Sequence, residues 1–225
     1  MSSVHDFRVP AAPGTGTDSP KFPATEYADA SSFFDAYAEE TVKAWKTVDS
    51  VALDRAAEIL LEIYARGGRV FSCGNGGSAS VANHLQCDHV KGCRTGTDLA
   101  PRVVSLSANM ELFSAIANDL GYENVFVYQL QSQSGPGDAL IAISSSGRSA
   151  NIVHALTWAR EHGLSTIALT GFEGGAARTV ADVAIHVDAA NYGIVEDMHQ
   201  AVMHGLAQYI RQSRMTSEAI SVNVF

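Results

Sequence analysis

Between residues 69 and 213 the chain moves repeatedly between two hydrophobic rhythms. Short, nearly unbroken apolar runs, "RVFSC" (69–73), "PRVVSLS" (101–107), "DALIAIS" (138–144), "STIALT" (165–170) and "VAIHVD" (183–188), read as buried strands. Each run is followed by a segment of helical period: from about 77, through "MELFSAIAND" (110–119), from about 149, a short piece after 170, and from about 193 to 213. Buried strands alternating with amphipathic helices predict an α/β fold, a parallel sheet covered on both faces. Upstream, residues 29–68 predict two further helices. One has a stripe of Phe33, Phe34, Tyr37, Val42 and Trp45, the other a stripe of Ala56, Ile59, Leu60 and Ile63, with Gly67 and Gly68 ending the second. Residues 1–27 are rich in Pro, Gly, Ser and Thr without a periodic apolar face, and are expected to form a flexible arm. Residues 28–213 then form one domain and 214–225 a C-terminal tail.

Composition narrows the classes of partner. A 225-residue chain that is 46% hydrophobic is long enough to bury one substantial core. Its net charge of -9, with only 15 Lys and Arg, excludes a broad cationic surface for nucleic acid or an anionic membrane. Any anion must be caught locally, by backbone amides and a few side chains. No basic stretch followed by an apolar run opens the sequence and no segment is long enough to span a bilayer, so a cytoplasmic protein is expected. Cys73, Cys87 and Cys93 form no C-x-x-C pair, so neither a disulfide framework nor a thiolate zinc site is encoded, and Cys73 is expected to be buried.

Two strand-to-helix turns carry the candidate chemistry. "CGNGGS" (Cys73 to Ser78) and "SSSGRS" (Ser144 to Ser149) both fall at carboxyl ends of predicted strands, where open parallel sheets bind ligands. Neither fits G-x-G-x-x-G, and neither is followed by the G-K-[ST] of a P-loop. Hydroxyls and a glycine ahead of a helix suit a phosphate monoester held by helix amides, with Arg148 as one charge-assisted contact. Helix capping by serine with glycine easing the turn is the competing explanation.

Behind the first turn, His84 and Asp88 are four residues apart on a predicted helix and share a face suited to a metal ion or a substrate. "NYGIVEDMHQAVMHGLAQYI" supplies a second cluster, Glu196, Asp197, His199 and His204. Glu196 and His199 share a face, whereas Glu196 and His204 are separated by ~12 Å of helix axis. One straight helix does not bring all three to one ion. A late helix start, long inward-reaching side chains or a neighbouring subunit would each resolve this.

In order and spacing, "CGNGGSASVANH", "SSSGRSANIVHAL", "TIALTGFEGG" and "YGIVEDMHQAVMH" resemble the sugar isomerase (SIS) family of phosphosugar-binding domains, and within it the phosphoheptose isomerase branch. The resemblance spans roughly residues 30–213. It implies a three-layer α/β/α sandwich around a five-stranded parallel sheet, preceded by N-terminal helices, and a homotetramer with active sites between subunits. By position, Ser144, Ser146 and Ser149, with Ser145 between them, match the family's phosphate loop, and Asn75 and Ser78 match its substrate-touching glycine turn. The implied substrate set is Asn75, Gly76, Gly77, Ser78, Asp119, Ser144, Ser145, Ser146, Arg148 and Ser149. The implied ligands of a Zn2+ or other divalent ion are His84, Asp88, Glu196 and His204. Asp88 stands where the heptose enzymes carry a glutamate that is ligand and base, Glu196 where they carry glutamine, and Arg148 where asparagine is common.

The resemblance implies an aldose-ketose isomerase acting through an enediol, with a divalent metal polarising the substrate oxygens. Asp88 is the expected base, or Glu196 if Asp88 is too short, and His204 the expected acid. The expected substrate is sedoheptulose 7-phosphate, converted to glycero-manno-heptose 7-phosphate. Two alternatives stay open: an isomerase of another long-chain sugar phosphate, such as an octulose 8-phosphate, and a non-catalytic sugar-phosphate-binding or regulatory protein.

Overall fold

We describe residues 21–225 in a computed structural model of the chain. Five strands, β1 (Arg69–Gly74), β2 (Arg102–Ser105), β3 (Ala139–Ser144), β4 (Ser165–Thr170) and β5 (Val183–His186), form one sheet in the order β2-β1-β3-β4-β5. All four pairings are parallel. The helices are α1 (Ala30–Trp45), α2 (Ser50–Ala65), α3 (Gly77–Cys87), α4 (Met110–Leu120), α5 (Val127–Gln133), α6 (Ala150–Glu161), α7 (Gly175–Val180), α8 (Tyr192–Gln212) and α9 (Ser217–Val222). The expected three-layer sandwich is what forms.

Alternation along the strands explains the layering. Val70, Ile141, Ile143, Ile167 and Leu169 face one core with α2, α3 and α8, while Phe71, Cys73, Leu140, Ala142 and Ala168 face the other with α4, α5, α6 and α7. Both faces are dry, so the strands read as continuous apolar runs instead of alternating ones. Asp29, Asp49, Asn109 and Asn191 each cap a helix by accepting a backbone N–H, which fixes where α1, α2, α4 and α8 begin.

Several segments depart from the pattern expected of them. The helix α5 was not foreseen; it is only seven residues long and carries no extended period. A π-helical segment, Asp88–Cys93, continues α3. On α1 only Ala44 is buried, and the stripe residues Phe34, Val42 and Trp45 are exposed. Of the arm expected over residues 1–27, residues 1–20 lie outside the described residues. Within the remainder, Phe22 packs against Tyr27, Phe33 and Tyr37 and accepts a 2.9 Å hydrogen bond from Asn191 through its carbonyl. The tail carries α9 and returns to the domain, where Arg211 donates to the Val224 carbonyl at 3.0 Å and stacks over the Phe225 ring.

The strand order is what creates a site. From β1 the chain turns outward to β2, then crosses back to β3 on the other side of β1. The loops after β1 and β3 therefore open side by side at the carboxyl edge, the switch point where such sheets leave a crevice. "CGNGGS" and "SSSGRS" are those two loops.

Candidate active site

The serine loop is held in shape from within and from behind. Gly147 donates its N–H to the Ser144 hydroxyl at 3.2 Å, and Arg148 donates its own to Ser146 at 3.3 Å. Gly147 has φ +63°, and a Cβ there would run into the Gly174 carbonyl, so the loop apex lies directly on the loop after β4. Ser149 starts α6 without capping it, and the buried Ser145 hydroxyl has no partner. These hydroxyls point at a cavity of about 190 Å³ lined by Asn75, Ser78, Ser144, Ser145, Ser146, Ser149, Tyr192 and Glu196. Among the described residues, no Lys or Arg lines it. Arg148 instead forms an ion pair with Glu173.

Opposite this loop, Asn75 is fixed by a reciprocal amide pair with Asn151, each donating to the other at 3.0 Å, and by Tyr122, whose hydroxyl donates to Asn75 Oδ1 at 2.9 Å. Gly76 takes φ 54° ahead of α3, and Gly77 lies against the Glu196 carboxylate so closely that a Cβ would overlap it. Burial, helped by Asp197, raises the pKa of Glu196. Asp197 points the other way and accepts a 2.6 Å hydrogen bond from Tyr37; burial first, and then this bond, push the Tyr37 phenol up to about 12. Asp119 is exposed on α4, takes a hydrogen bond from Asn118, and is not among the cavity-lining residues.

A second focus lies further along α8. His84 from α3, Asp88 at the start of the π-helical segment and His204 from α8 bring three ligand atoms within 4.8 Å of one another. His84 Nε2 is 3.4 Å from Asp88 Oδ1, and His204 Nε2 is 3.6 Å from Asp88 Oδ2. Two atoms each ~2.0–2.1 Å from a tetrahedral ion lie ~3.4 Å apart, so two imidazoles and a carboxylate at these spacings fit Zn2+. Glu196 is outside this trio, eight residues before His204 and ~12 Å from it along the axis of α8. The Gln200 amide lies between the two histidines, 3.0 Å from His84 Nδ1 and 2.9 Å from His204 Nε2.

The neighbouring histidines and cysteines serve other ends. His199 is fully buried, and desolvation pushes its pKa down to about 4, with the Thr170 backbone opposing this in part. His89 is buried behind Asp88, pushed down to about 4 by the same cause, with Nδ1 2.6 Å from the Tyr64 hydroxyl. Cys73 is buried as expected, and Cys87 is an exposed free thiol.

The family model for the SIS domain matches residues 33–171, which include both loops and the His84 and Asp88 positions. The chain belongs to the SIS-domain family. Among curated SIS relatives, the phosphoheptose isomerase of Rhodospirillum rubrum is 37% identical over 163 residues, covering 72% of this chain and 86% of that protein. That of Roseiflexus is 34% identical over 157 residues, covering 70% and 79%. Among solved structures, a phosphoheptose isomerase from Neisseria gonorrhoeae superposes with a TM-score of 0.75 at 29% identity, covering 82% of this chain and all of that one. With these relatives over most of its length, this SIS protein is an isomerase.

Sequence reasoning did not single out Gln200, Asn151, Tyr122 or Tyr192. Gln200 had a signal, since it stands one turn before His204 on the same helix face. Asn151 and Tyr122 had none, because their partner Asn75 is remote in sequence and meets them only through the fold.

Proposed function

We propose that the protein interconverts an aldose and a ketose phosphate, with sedoheptulose 7-phosphate as substrate and glycero-manno-heptose 7-phosphate as product. The observation that carries this reading is the presence of two foci joined by α8, which supplies Glu196 to one and His204 to the other. One is a cavity of serine hydroxyls at the N-terminus of α6, the other the His84, Asp88 and His204 trio. The names of the relatives support the choice of a heptose phosphate.

Ser144, Ser145, Ser146, Ser149 and the first amides of α6 hold the phosphate. Among the described residues no cation lines the cavity, so binding rests on hydrogen bonds and the helix dipole. Asn75 and Ser78 orient the sugar chain. His84, Asp88 and His204 would hold a divalent metal, Zn2+ on the donor set present. When bound, that ion polarises the carbonyl and neighbouring hydroxyl. Asp88 takes the proton from C1 of the ketose and returns it to C2, while His204 exchanges the oxygen-bound protons between O2 and O1, so that the enediol collapses to the aldehyde.

An apolar surface supports assembly into a homotetramer. Trp45, Leu53, Ala57, Val202, Leu206 and Tyr209 line a groove of about 240 Å³ between α1, α2 and α8, and Phe34 and Val42 of α1 are also exposed. A second copy of the chain is the natural cover for such a stripe.

The test is incubation of metal-replete protein with C6, C7 and C8 ketose phosphates in deuterated water, following isomer formation and deuterium uptake at C1 or C2. Turnover of the C7 compound is the expected result. Preference for the C8 compound would replace the substrate, and exchange with none of the three would overturn the isomerase chemistry.

A further inference from the structure

We propose that a cavity along the free edge of β2, at the end of the sheet away from the catalytic loops, binds a second phosphate ester. Arg69 and Arg102 take its phosphoryl group, and an apolar wall covers the rest of the ligand.

The strand β2 is the outermost of the sheet. The cavity along it holds about 500 Å³, lined by Arg69, Arg102, Gln86 and Gln133 together with Val90, Pro101 and the valines of β2. That volume is in the range of small-molecule sites. No residue of it belongs to the serine cavity, the metal trio or the apolar groove.

Charge points to the ligand. Arg69 and Arg102 open β1 and β2 and stand opposite each other in the parallel register, so both side chains leave the same face of the sheet. Like charges placed directly opposite on neighbouring strands repel. Among the described residues, no carboxylate forms an ion pair with either. Arg69 donates to the Gln133 carbonyl at 2.7 Å and Arg102 to the Gly67 carbonyl at 3.1 Å, while the nearby Asp138 accepts the Arg69 backbone N–H at 2.8 Å. These bonds anchor each guanidinium and leave most of its five N–H donors for a ligand. Gln86 accepts the Ser105 N–H at 2.9 Å through Oε1, which leaves its amide N–H groups to donate. Two adjacent cations without an acid, in a chain of net charge -9, match the dianion of a phosphate monoester; a carboxylate would balance only one of them.

The substrate of the catalytic crevice does not reach this place. With Val70 paired to Ala139, Ser144 lies about six residues up the sheet from the level of Arg69, or ~20 Å. The edge cavity therefore takes a separate molecule.

The experiment is calorimetric titration of the full-length protein with adenosine monophosphate, a phosphate ester with a flat body, alongside adenosine and inorganic phosphate. The nucleotide is expected to bind the wild type, inorganic phosphate to compete with it, and adenosine to bind at least about tenfold more weakly. Arg102→Gln, and the isosteric Gln133→Glu that sets a carboxylate beside the arginines, are each expected to weaken the nucleotide by on the order of tenfold. Arg102→Gln should leave the isomerase KM within about twofold, and Gly147→Ala, which disturbs the serine loop, should leave nucleotide affinity within about twofold. Loss of the nucleotide in Gly147→Ala with retention in Arg102→Gln and Gln133→Glu places it in the catalytic crevice and overturns the inference. A wild type that binds neither the nucleotide nor inorganic phosphate at millimolar concentration overturns it too, as does equal affinity for adenosine and its monophosphate.

Discussion

Tyr64 and His89 meet inside the core with the phenol oxygen 2.6 Å from the imidazole Nδ1, directly behind the residue that presents the site carboxylate. Both are fully buried, and α2 thereby grips the π-helical segment at its first turn. Cys93 grips the other end by donating its thiol to the Ala207 carbonyl of α8 at 3.3 Å. A π-turn widens the helix and is stable only where its surroundings hold it. Tyr64→Phe leaves the His89 nitrogen buried without a partner, which costs about 1–3 kcal/mol. Urea unfolding should show that loss with an unchanged m-value.

Acid sensitivity follows from the two buried histidines. His89 and His199 are held neutral by burial, with pKa values near 4 against an ordinary 6.5. Between those values the unfolded chain binds protons that the folded chain refuses. Stability therefore does not change through this pair above about pH 6.5, falls as pH drops toward 4, and levels off below it, at up to about 1.4 kcal/mol per pH unit for each histidine. Denaturant midpoints of metal-free protein across pH 4–8 measure the slope, and replacing His89 by Gln should reduce it.

The short carboxylate at position 88 suits its place. With Asp88 oxygens already 3.4 and 3.6 Å from the two imidazoles, the donor atoms stand at the spacing a tetrahedral ion needs. Asp88→Glu adds a methylene that must fold back or push the histidines apart. Its expected effect is a loss of zinc affinity on the order of tenfold, measured by chelator competition.

At the phosphate end, Gly147→Ala places a methyl against the Gly174 carbonyl from a backbone at φ +63°. Both strains fall on the loop apex. We expect phosphate-ester affinity to drop more than about tenfold and stability by about 1–3 kcal/mol, readable by calorimetric titration with a sugar phosphate and by thermal melting.

For the assembly, Trp45→Glu puts a charge in the groove shared with Leu53, Leu206 and Tyr209. Light scattering should show the variant as smaller species with its secondary structure retained, since Trp45 is exposed in the single chain.

The layered fold was legible because both its rhythms are local. All five strands fall within or overlap the apolar runs, and the hydroxyl and glycine turns mark where they end. Site membership was only partly legible. His84 and Asp88 share a face by helical spacing, but His204 joins them through the crossing of α3 with α8, which no single-helix argument contains. Glu196 and His204 were matched to one ion by position, and α8 carries both, eight residues apart. Arg148 was expected as a charge-assisted phosphate contact by charge and place, and its ion pair with Glu173 of the next loop was not legible in the sequence. The π-helical segment was invisible because "DHVKGC" does not distinguish a π-turn from an α-turn, and its anchors Tyr64 and Ala207 are distant in sequence.

Because Glu196, which lines the serine cavity, and His204, of the trio with His84 and Asp88, ride on the same helix, the distance between the two foci is set by a rod, not by loops. A rod of this kind changes length only in whole turns, ~5.4 Å at a time, since smaller shifts rotate a side chain off the working face. On the proposed assignment, a change of substrate chain length by one carbon is not absorbed along α8. It has to come from the serine loop or the β1 turn, so variation in those two segments is where an altered sugar preference would be written.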